Sequence, residues 1–320
     1  MLIDVRLDAS LALVPEAVRE LEQAGVAGTF TYEGPGDPFL PLGAAAVCST
    51  SLELYTNLAI ALPRSPMHLA YVAQDLQRAS GGRFSLGLGT QVAKHVVERF
   101  GSTWEAPVAQ LREWVLAIRA IQTSWTTGEP LDFQGRWTRH TFCPPLFVPA
   151  PAPPARIMVG AVGPKMTAMA VEVADVLLVH PFCSEASLAV TLAGVPTDFP
   201  VIGQAIVGVG STDEQVSSAR EAVRGLIAFY ASTPAYRPVL DAHGWGELQP
   251  RLRDLTRAGD WGALPGLVTD EVVDTIAIVG SPAEVAPALQ RRFARCERVA
   301  LSTPYALDPG ALAELVALAR

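Results

Sequence analysis

The sequence predicts an α/β fold, a (β/α)8 or TIM barrel that forms a single domain over residues 1–320. Short apolar runs of strand character alternate along the chain with longer stretches that have the period of a helix, and eight such runs can be counted. In addition, 50% of the 320 residues are hydrophobic, which is enough to bury one large core. The prediction therefore rests on the alternation, the strand count and the size of the core.

The first four strand–helix units are regular. Residues 2–7 form the first predicted strand, and Val14, Val18 and Leu21 then recur on one helix face until Gly25 ends the helix. The next predicted strands cover residues 26–32, 52–62 and 84–89. Helices are expected from near Leu40, from the PRSP sequence through Ala79, and over a long stretch that follows the fourth strand.

The segment from residue 126 to residue 154 interrupts this pattern. Its six prolines after residue 143 exclude a continuous helix or a central strand. We therefore expect an insertion before the fifth strand, with a small hairpin around residues 131–138. Four more strands are predicted at residues 156–160, 176–180, 201–209 and 298–302. Extra short helices are expected over residues 232–270, after the seventh strand, and a strand-like run at 275–279 indicates a lid or edge feature.

Charge and cysteine content exclude several classes of partner. A net charge of −8 and a pI near 5.2 argue against a surface that neutralises a nucleic-acid backbone. The four cysteines are widely spaced and include no CxxC pair, so neither a zinc site nor a disulfide framework is indicated. They are interpreted as free thiols in a reducing cytoplasm. We expect a small-molecule ligand and no nucleic acid.

The sequence indicates neither a membrane segment nor a metal site. The start of the chain, MLIDVRLDAS, has no apolar stretch of signal-peptide length, and no segment approaches about 18 uninterrupted apolar residues. The five histidines include no HxH or HxxxH pair. A cytoplasmic protein with metal-independent chemistry is therefore expected.

Candidate site residues follow the strands, because reactive groups of this fold class lie at the C-terminal ends of the strands. The candidates that follow the second, third, fourth and sixth strands are Tyr32, Glu33, Arg64, His68, Thr90, Gln91 and His180.

The strongest local motif is VGAVGPKM, residues 159–166, after the fifth strand. Glycines at positions 160 and 163 let the backbone approach an anion, and Pro164 starts a helix whose first N–H groups point beyond the strand end. This pattern predicts a phosphate cradle. An ordinary turn between a strand and a helix, with proline at the first helical position, is the alternative.

Four stretches together resemble the luciferase-like monooxygenase superfamily, and specifically its branch of oxidoreductases that use the deazaflavin coenzyme F420. They are DPFLPL, NLAIALPRSPMHLAYVAQDLQRA, SGGRFSLGLGTQV and PARIMVGAVGPKMTAMAVEVADVLLVHPF. The resemblance is strong from the first strand to about Pro181 and weak thereafter. It implies a barrel with an insertion before the fifth strand, a cofactor ring across the strand ends and, usually, a homodimer.

The resemblance also implies residue roles. The phosphate of the cofactor would be held by Gly160, Ala161, Val162, Gly163 and Lys165. The positions where relatives have a bulge in the third strand, often with a non-prolyl cis peptide bond against the ring, are Asn57, Leu58 and Ala59. Glu33 stands where many relatives have an aspartate near the deazaflavin, and the histidine that usually follows is absent here.

Residues after the fourth strand bear on the choice of cofactor. Relatives that use FMN can have an arginine there, whereas this chain has Thr90 and Gln91. The resemblance therefore favours F420, with FMN as the alternative. The acidic tail of F420 would need basic neighbours, and Lys165 and Arg64 are the candidates.

Three histidines are candidates for polar roles. His95 follows the fourth strand and could carry the proton that accompanies hydride transfer, since imidazole titrates near neutral pH; a surface histidine is the alternative. Glu33 is the rival acid. His180 is either a wall of the cofactor pocket or a buried structural histidine. Tyr32, Arg64 and His68 are the candidates for a substrate pocket.

The leading hypothesis is an F420-dependent oxidoreductase that transfers a hydride between the deazaflavin and a small organic substrate. The alternative in the same fold is an FMNH2-dependent monooxygenase, and an alternative of another class is a barrel that binds a cofactor without catalysis.

Overall fold

The computed structural model describes residues 1–320 and contains twelve strands and twelve helices. The strands are β1 Leu2–Arg6, β2 Gly28–Thr31, β3 Glu53–Thr56, β4 Ala59–Ile60, β5 Phe84–Gly89, β6 Phe133–Gln134, β7 Arg139–His140, β8 Arg156–Ala161, β9 Val176–Val179, β10 Val201–Val209, β11 Ile278–Gly280 and β12 Arg298–Ser302. The helices are α1 Val14–Gln23, α2 Phe39–Cys48, α3 Pro66–Ala79, α4 Pro107–Thr127, α5 Pro164–Val173, α6 Glu185–Ala193, α7 Asp213–Ala231, α8 Arg237–Asp241, α9 Leu248–Ala258, α10 Asp270–Ile276, α11 Pro282–Arg292 and α12 Pro309–Ala319.

The chain forms two compact units. The first, here named the N-terminal unit, comprises residues 7–19 and 28–178. Its strands lie side by side in the order β2, β3, β5, β8, β9, and the pairs of known register are parallel. All six residues of β5 are buried, as expected for a strand covered on both faces.

The second, here named the C-terminal unit, comprises residues 1–6, 20–27 and 179–320. Its strands run parallel in the order β11, β10, β12, β1. Extra helices follow the seventh barrel strand, β10, and they bury an apolar cluster that includes Ile227, Leu240, Leu252 and Val273. The predicted extra helices are therefore present.

Strands and helices alternate along the chain as the (β/α)8 barrel class requires, and the predicted fold class is confirmed. The eight barrel strands are β1, β2, β3, β5, β8, β9, β10 and β12. The prediction of one domain over residues 1–320 stays a prediction. No helix has both the length and the apolar character that a membrane crossing requires.

Two local predictions need correction. The predicted third strand, 52–62, is broken: β3 ends at Thr56, and β4 resumes at Ala59 paired with β5. The strand-like run 275–279 begins inside a helix, because the Thr269 side chain caps α10 by accepting from Val272 N. Only Ile278–Gly280 forms a strand there, paired with β10.

Helix α6 was not among the predicted elements. Ser184 and Ser187 form a reciprocal capping box at its start, and this local signal could have indicated the helix.

The insertion before the fifth barrel strand is present and contains the predicted hairpin, β6–β7. The Glu113 carboxylate on α4 holds its turn by accepting from three successive backbone N–H groups, at 2.8, 2.7 and 2.7 Å. These donors belong to residues 136–138. The hairpin is thereby attached to α4.

The rest of the insertion, residues 147–154, is here named the strap. Because its prolines carry no N–H, the strap cannot form a regular helix or strand. Its backbone carbonyl groups therefore need hydrogen-bond donors from another part of the protein. Helix α3 supplies these donors at intervals of three residues. Tyr71 Oη donates to Phe147 O at 2.8 Å, Gln74 Nε2 to Ala150 O at 3.0 Å and Gln77 Nε2 to Pro153 O at 3.3 Å.

Candidate cofactor site at the strand ends

The break in the third barrel strand places Leu58 against two neighbouring strands. The Asn57-Leu58 peptide bond is cis, the form that the resemblance implies for this position. A Cβ on Gly89 would lie 2.6 Å from Leu58 Cδ2, and a Cβ on Gly160 would lie 2.4 Å from the same atom. Since real Cβ atoms do not approach this closely, glycine at both positions leaves room for the Leu58 side chain. Packing against Leu58 is therefore a reason for glycine at position 160 that does not depend on an anion.

Glu33 is buried, and both of its side-chain oxygens accept hydrogen bonds. Its side chain is 4% exposed, and its Oε2 accepts from Ile60 N at 2.7 Å and from Arg64 Nη1 at 2.6 Å. Glu33 thus fixes the start of the segment that follows β4, and its oxygens are occupied as acceptors.

Arg64 is shared between two carboxylates. Besides Glu33, it donates from Nη2 to Asp37 Oδ2 at 3.0 Å. Burial by itself lowers the pKa of the Arg64 guanidinium, but the hydrogen bonds and charges of Glu33 and Asp37 outweigh it, and the pKa is raised. Arg64 is therefore a poor candidate for the acidic tail of a ligand, because its charge is already neutralised. Asp37 was not a sequence candidate, although it stands in the DPFLPL motif.

The segment after β5 carries His95, which is the first residue of a short π-helix, His95–Arg99. Its side chain is half-buried, and the Nδ1 atom is buried without a hydrogen-bond partner. A buried polar atom without a hydrogen-bond partner normally costs free energy. The segment is held by its backbone, in which His95 N donates to Val92 O at 3.0 Å. At the start of this segment, Thr90 Oγ1 donates to Gln91 O at 3.2 Å.

The predicted cradle lies at the start of α5. Gly163 has a φ of 82°, and nothing lies within 4 Å of the position that a Cβ would take there. Val162 and Lys165 are exposed, Ala161 is buried at the end of β8, and Pro164 occupies the first turn of α5. The geometry offers an open helix start with a lysine beside it, which suits an anion.

His180 belongs to the C-terminal unit. Its ring stacks on Tyr236 with centroids 4.3 Å apart and meets the edge of Tyr230 at 5.1 Å. Burial lowers the pKa of His180 to about 3, so the ring is neutral at physiological pH. Its Nδ1 accepts from Phe182 N at 3.1 Å. These contacts support the structural alternative for His180, and its contact with a cofactor stays a prediction.

The remaining candidates are exposed. Tyr32 is 46% exposed, with its ring 2.9 Å from the position that a Cβ on Gly34 would take. His68 is exposed in the first turn of α3, where its backbone N–H donates to the Ser65 cap. Within the N-terminal unit, the structure therefore brings Glu33 to Arg64, and Leu58 to Gly160.

Sequence reasoning missed Gly89. The signal that could have indicated it was the alternation of Gly87 and Gly89, which places both glycines on one face of β5.

The fold is a (β/α)8 barrel with an open helix start at Gly163, after its fifth strand. The family model described as luciferase-like monooxygenase matches residues 4–295. The chain belongs to the luciferase-like monooxygenase family, as the resemblance indicates.

Three comparisons add detail. An uncharacterized protein of Mycobacterium tuberculosis is 42% identical over 310 residues, which are 93% of this chain and 90% of that protein. The 5,10-methylenetetrahydromethanopterin reductase of Archaeoglobus fulgidus is 33% identical over 236 residues, which are 69% of this chain and 67% of that protein. The solved coenzyme F420 dependent tetrahydromethanopterin reductase of Methanopyrus kandleri has a TM-score of 0.79 at 19% identity, and the match covers 98% of this chain and 96% of that one. This last likeness shows the fold.

Proposed function

We propose that the protein is an F420-dependent oxidoreductase that transfers a hydride between the deazaflavin and a small organic substrate. The observation that carries the proposal is the open helix start at Gly163, with exposed Lys165 beside it, one turn beyond the strand against which Leu58 packs. The names of two similar proteins, a methylenetetrahydromethanopterin reductase and an F420 dependent reductase, support the same chemistry.

The residues present fit such a cofactor. The cradle at Gly163 is open because a Cβ there would meet no atom, and Lys165 supplies a positive charge for a phosphate. Leu58, on the strand break, offers an apolar support for one face of a flat ring. When bound, the deazaflavin supplies or accepts the hydride, and the protein supplies orientation and a proton route.

His95 is the proposed proton carrier. Its side chain is partly exposed, and its buried Nδ1 has no hydrogen-bond partner within the protein. Imidazole is the side chain best suited to exchange a proton near neutral pH. Glu33, the other catalytic candidate, fits a positioning role instead. Its hydrogen bonds to Ile60 N and Arg64 Nη1 fix the segment that follows β4.

The experiment that tests the proposal is a comparison of cofactors on the purified protein. F420 and FMN are titrated separately, and binding is followed by fluorescence quenching. Reduced F420 is then mixed with candidate acceptors, with and without oxygen. We expect tighter binding of F420 than of FMN and turnover that consumes no oxygen. Submicromolar FMN binding without measurable F420 affinity would instead support an FMNH2-dependent monooxygenase, and failure to bind either cofactor would contradict both readings.

A homodimer is the proposed assembly. Helix α2 carries no charged residue, yet Leu40 and Val47 are 61% and 76% exposed. A helix that is apolar on every face is normally covered on every face. Light scattering coupled to gel filtration tests this: the wild type is expected to elute at twice the chain mass, and Val47→Glu at a lower mass.

A further inference from the structure

The third barrel strand contains one extra residue at its break. Before the break, Tyr55 on β3 lies opposite Ser85 on β5, and after it Ala59 on β4 lies opposite Leu88. Residues 56–58 therefore face only residues 86–87 of β5. An extra residue of this kind is a β-bulge, which bends the strand and changes the direction of its side chains. The direction of the Leu58 side chain thus depends on how the bulge is held.

The Thr56 hydroxyl joins the bulge to β5. Its Oγ1 donates to Gly87 O at 2.6 Å and accepts from Gly87 N at 2.9 Å. One side chain thus satisfies both backbone groups of the β5 residue that the bulge faces, where regular strand pairing is interrupted. The approach is close enough that a Cβ on Gly87 would overlap Thr56 O, so glycine is needed there.

On the side away from β5, backbone hydrogen bonds hold the bulge. Asn57 N donates to Thr31 O at 2.6 Å, and Glu33 N donates to Leu58 O at 3.1 Å. These bonds do not depend on the side chains of the residues that form them. The link between Thr56 and β5 does depend on a side chain. A substitution at Thr56 can therefore loosen one side of the bulge while the backbone bonds on the other side remain.

Thr56 cannot contact a ligand directly. Its side chain is 0% exposed, and its hydroxyl is occupied both as donor and as acceptor. Leu58 is two residues away and is partly exposed, with its side chain against the backbone of Gly89 and Gly160. Any effect of Thr56 on a ligand at the strand ends must therefore pass through the position of Leu58.

We propose that Thr56 is a positioning residue, which fixes the bulge so that Leu58 meets the ring of the cofactor at the right height. This inference rests on the proposed function, in which Leu58 supports one face of the ring. Removal of the hydroxyl leaves Gly87 N and Gly87 O without their partner in a buried strand, and such groups rearrange until they find another. Leu58 then moves, whereas the helix start at Gly163 is unaffected.

The experiment separates contact with the ring from contact with the phosphate. Thr56→Val keeps the shape of the side chain and removes both hydrogen bonds, whereas Thr56→Ser keeps the hydroxyl. Thr29→Val is the matched control, because Thr29 is also buried but lies on β2. Fluorescence titrations give the dissociation constants of F420 and of the deazaflavin riboside that lacks the phosphate. The absorption spectrum of bound F420 reports the surroundings of the ring, and thermal unfolding without ligand reports the fold.

We expect Thr56→Val to bind both ligands about 4- to 15-fold more weakly, the range for one or two lost apolar contacts of methylene size. The absorption band of bound F420 should shift in this variant. Thr56→Ser and Thr29→Val should keep the wild-type affinities and spectrum, even where their unfolding temperature falls. Lys165→Gln should weaken the binding of F420 but not of the riboside, because it leaves the ring contact intact.

Thermal unfolding shows whether Thr56→Val is folded, and Thr56→Ala, which places no methyl group against Gly87, takes its place if it is not. A folded variant of either kind with wild-type affinities and an unshifted band overturns the proposal and leaves the proposed function intact. The same conclusion follows if Thr56→Ser loses as much affinity as Thr56→Val. Wild-type protein that binds neither F420 nor FMN overturns both the proposal and the proposed function.

Discussion

The Leu58 side chain occupies the space next to Gly160 that any larger residue at position 160 would need. A Cβ there would lie 2.4 Å from Leu58 Cδ2. One residue comes from the break in the third barrel strand and the other from the end of the fifth. This contact ties the two strands together where the cofactor is proposed to bind, so changes at Gly160 affect the fold as well as the ligand.

The first prediction concerns this contact. Gly160→Ala should destabilise the protein by about 1–3 kcal/mol, because the added methyl group forces Leu58 to move. Leu58→Ala removes the clashing atoms, so the double variant should be more stable than the sum of the two single effects predicts, by about 0.5–3 kcal/mol. Urea unfolding of the four proteins measures the coupling. Strict additivity would mean that Leu58 and Gly160 do not constrain each other.

The second prediction concerns the anion cradle. Lys165→Gln should weaken cofactor binding by about 10-fold at low salt, because a charge-assisted contact to the phosphate is lost. The difference from wild type should shrink as salt is added, since both the lysine and its proposed partner are exposed to screening. Arg253→Gln is the control, because Arg253 is also exposed but lies on α9 in the C-terminal unit. Equal losses in the two variants would indicate general attraction rather than a cradle.

The third prediction separates His95 from Glu33. His95→Asn should lower the hydride-transfer rate by about 10²- to 10⁴-fold at constant cofactor affinity and remove one limb of the pH profile. Glu33→Gln should instead lower stability, since it leaves Arg64 with one carboxylate partner and alters the bond to Ile60 N. Stopped-flow kinetics and thermal unfolding of both variants provide the comparison. A parental rate and pH profile for His95→Asn would exclude it as the proton carrier.

The fourth prediction concerns pH and His180. Burial lowers the pKa of His180 from 6.5 to about 3 in the folded protein. Between pH 6.5 and pH 3, His180 is therefore protonated in the unfolded chain but not in the folded protein. Its contribution to stability is therefore complete above pH 6.5 and is lost as the pH falls towards 3. The slope should be at most about 1.4 kcal/mol per pH unit. His180→Phe should flatten this slope in urea unfolding at several pH values, whereas the exposed His68→Gln should leave it unchanged.

The sequence predicted the regular parts of the fold because their signals are local. Strands β5, β10 and β12 have the predicted bounds, since each is a short, mostly apolar run with polar or turn residues on both sides. The third strand was predicted over residues 52–62 because most of these residues are apolar. Only the resemblance, which implies a bulge at Asn57, Leu58 and Ala59, indicated the break between β3 and β4. The pairing of β4 with β5 belongs to the tertiary structure, and the residue pattern of the third strand does not specify it.

The candidate site divides in the same way. Motif spacing placed glycine and lysine correctly at the start of α5, because a helix start after a strand is a local structure. The hydrogen-bond partners of Arg64 could not be predicted from a local sequence pattern. Glu33 and Asp37 lie 31 and 27 residues away in the sequence, and only the fold brings them to the same guanidinium. Gln91 could not be predicted either, because its positive φ is typical of glycine and not of glutamine.

The strap restricts how this protein can vary. Its three carbonyl acceptors and the three donors on α3 keep one constant separation of 76 residues along the chain. Substitutions between these points leave the pairing in place, but a deletion of one residue within the strap would shift every acceptor beyond it relative to its donor. Homologous strap segments should therefore diverge in sequence while keeping their length, and grafts between relatives should succeed only when both boundaries preserve this spacing.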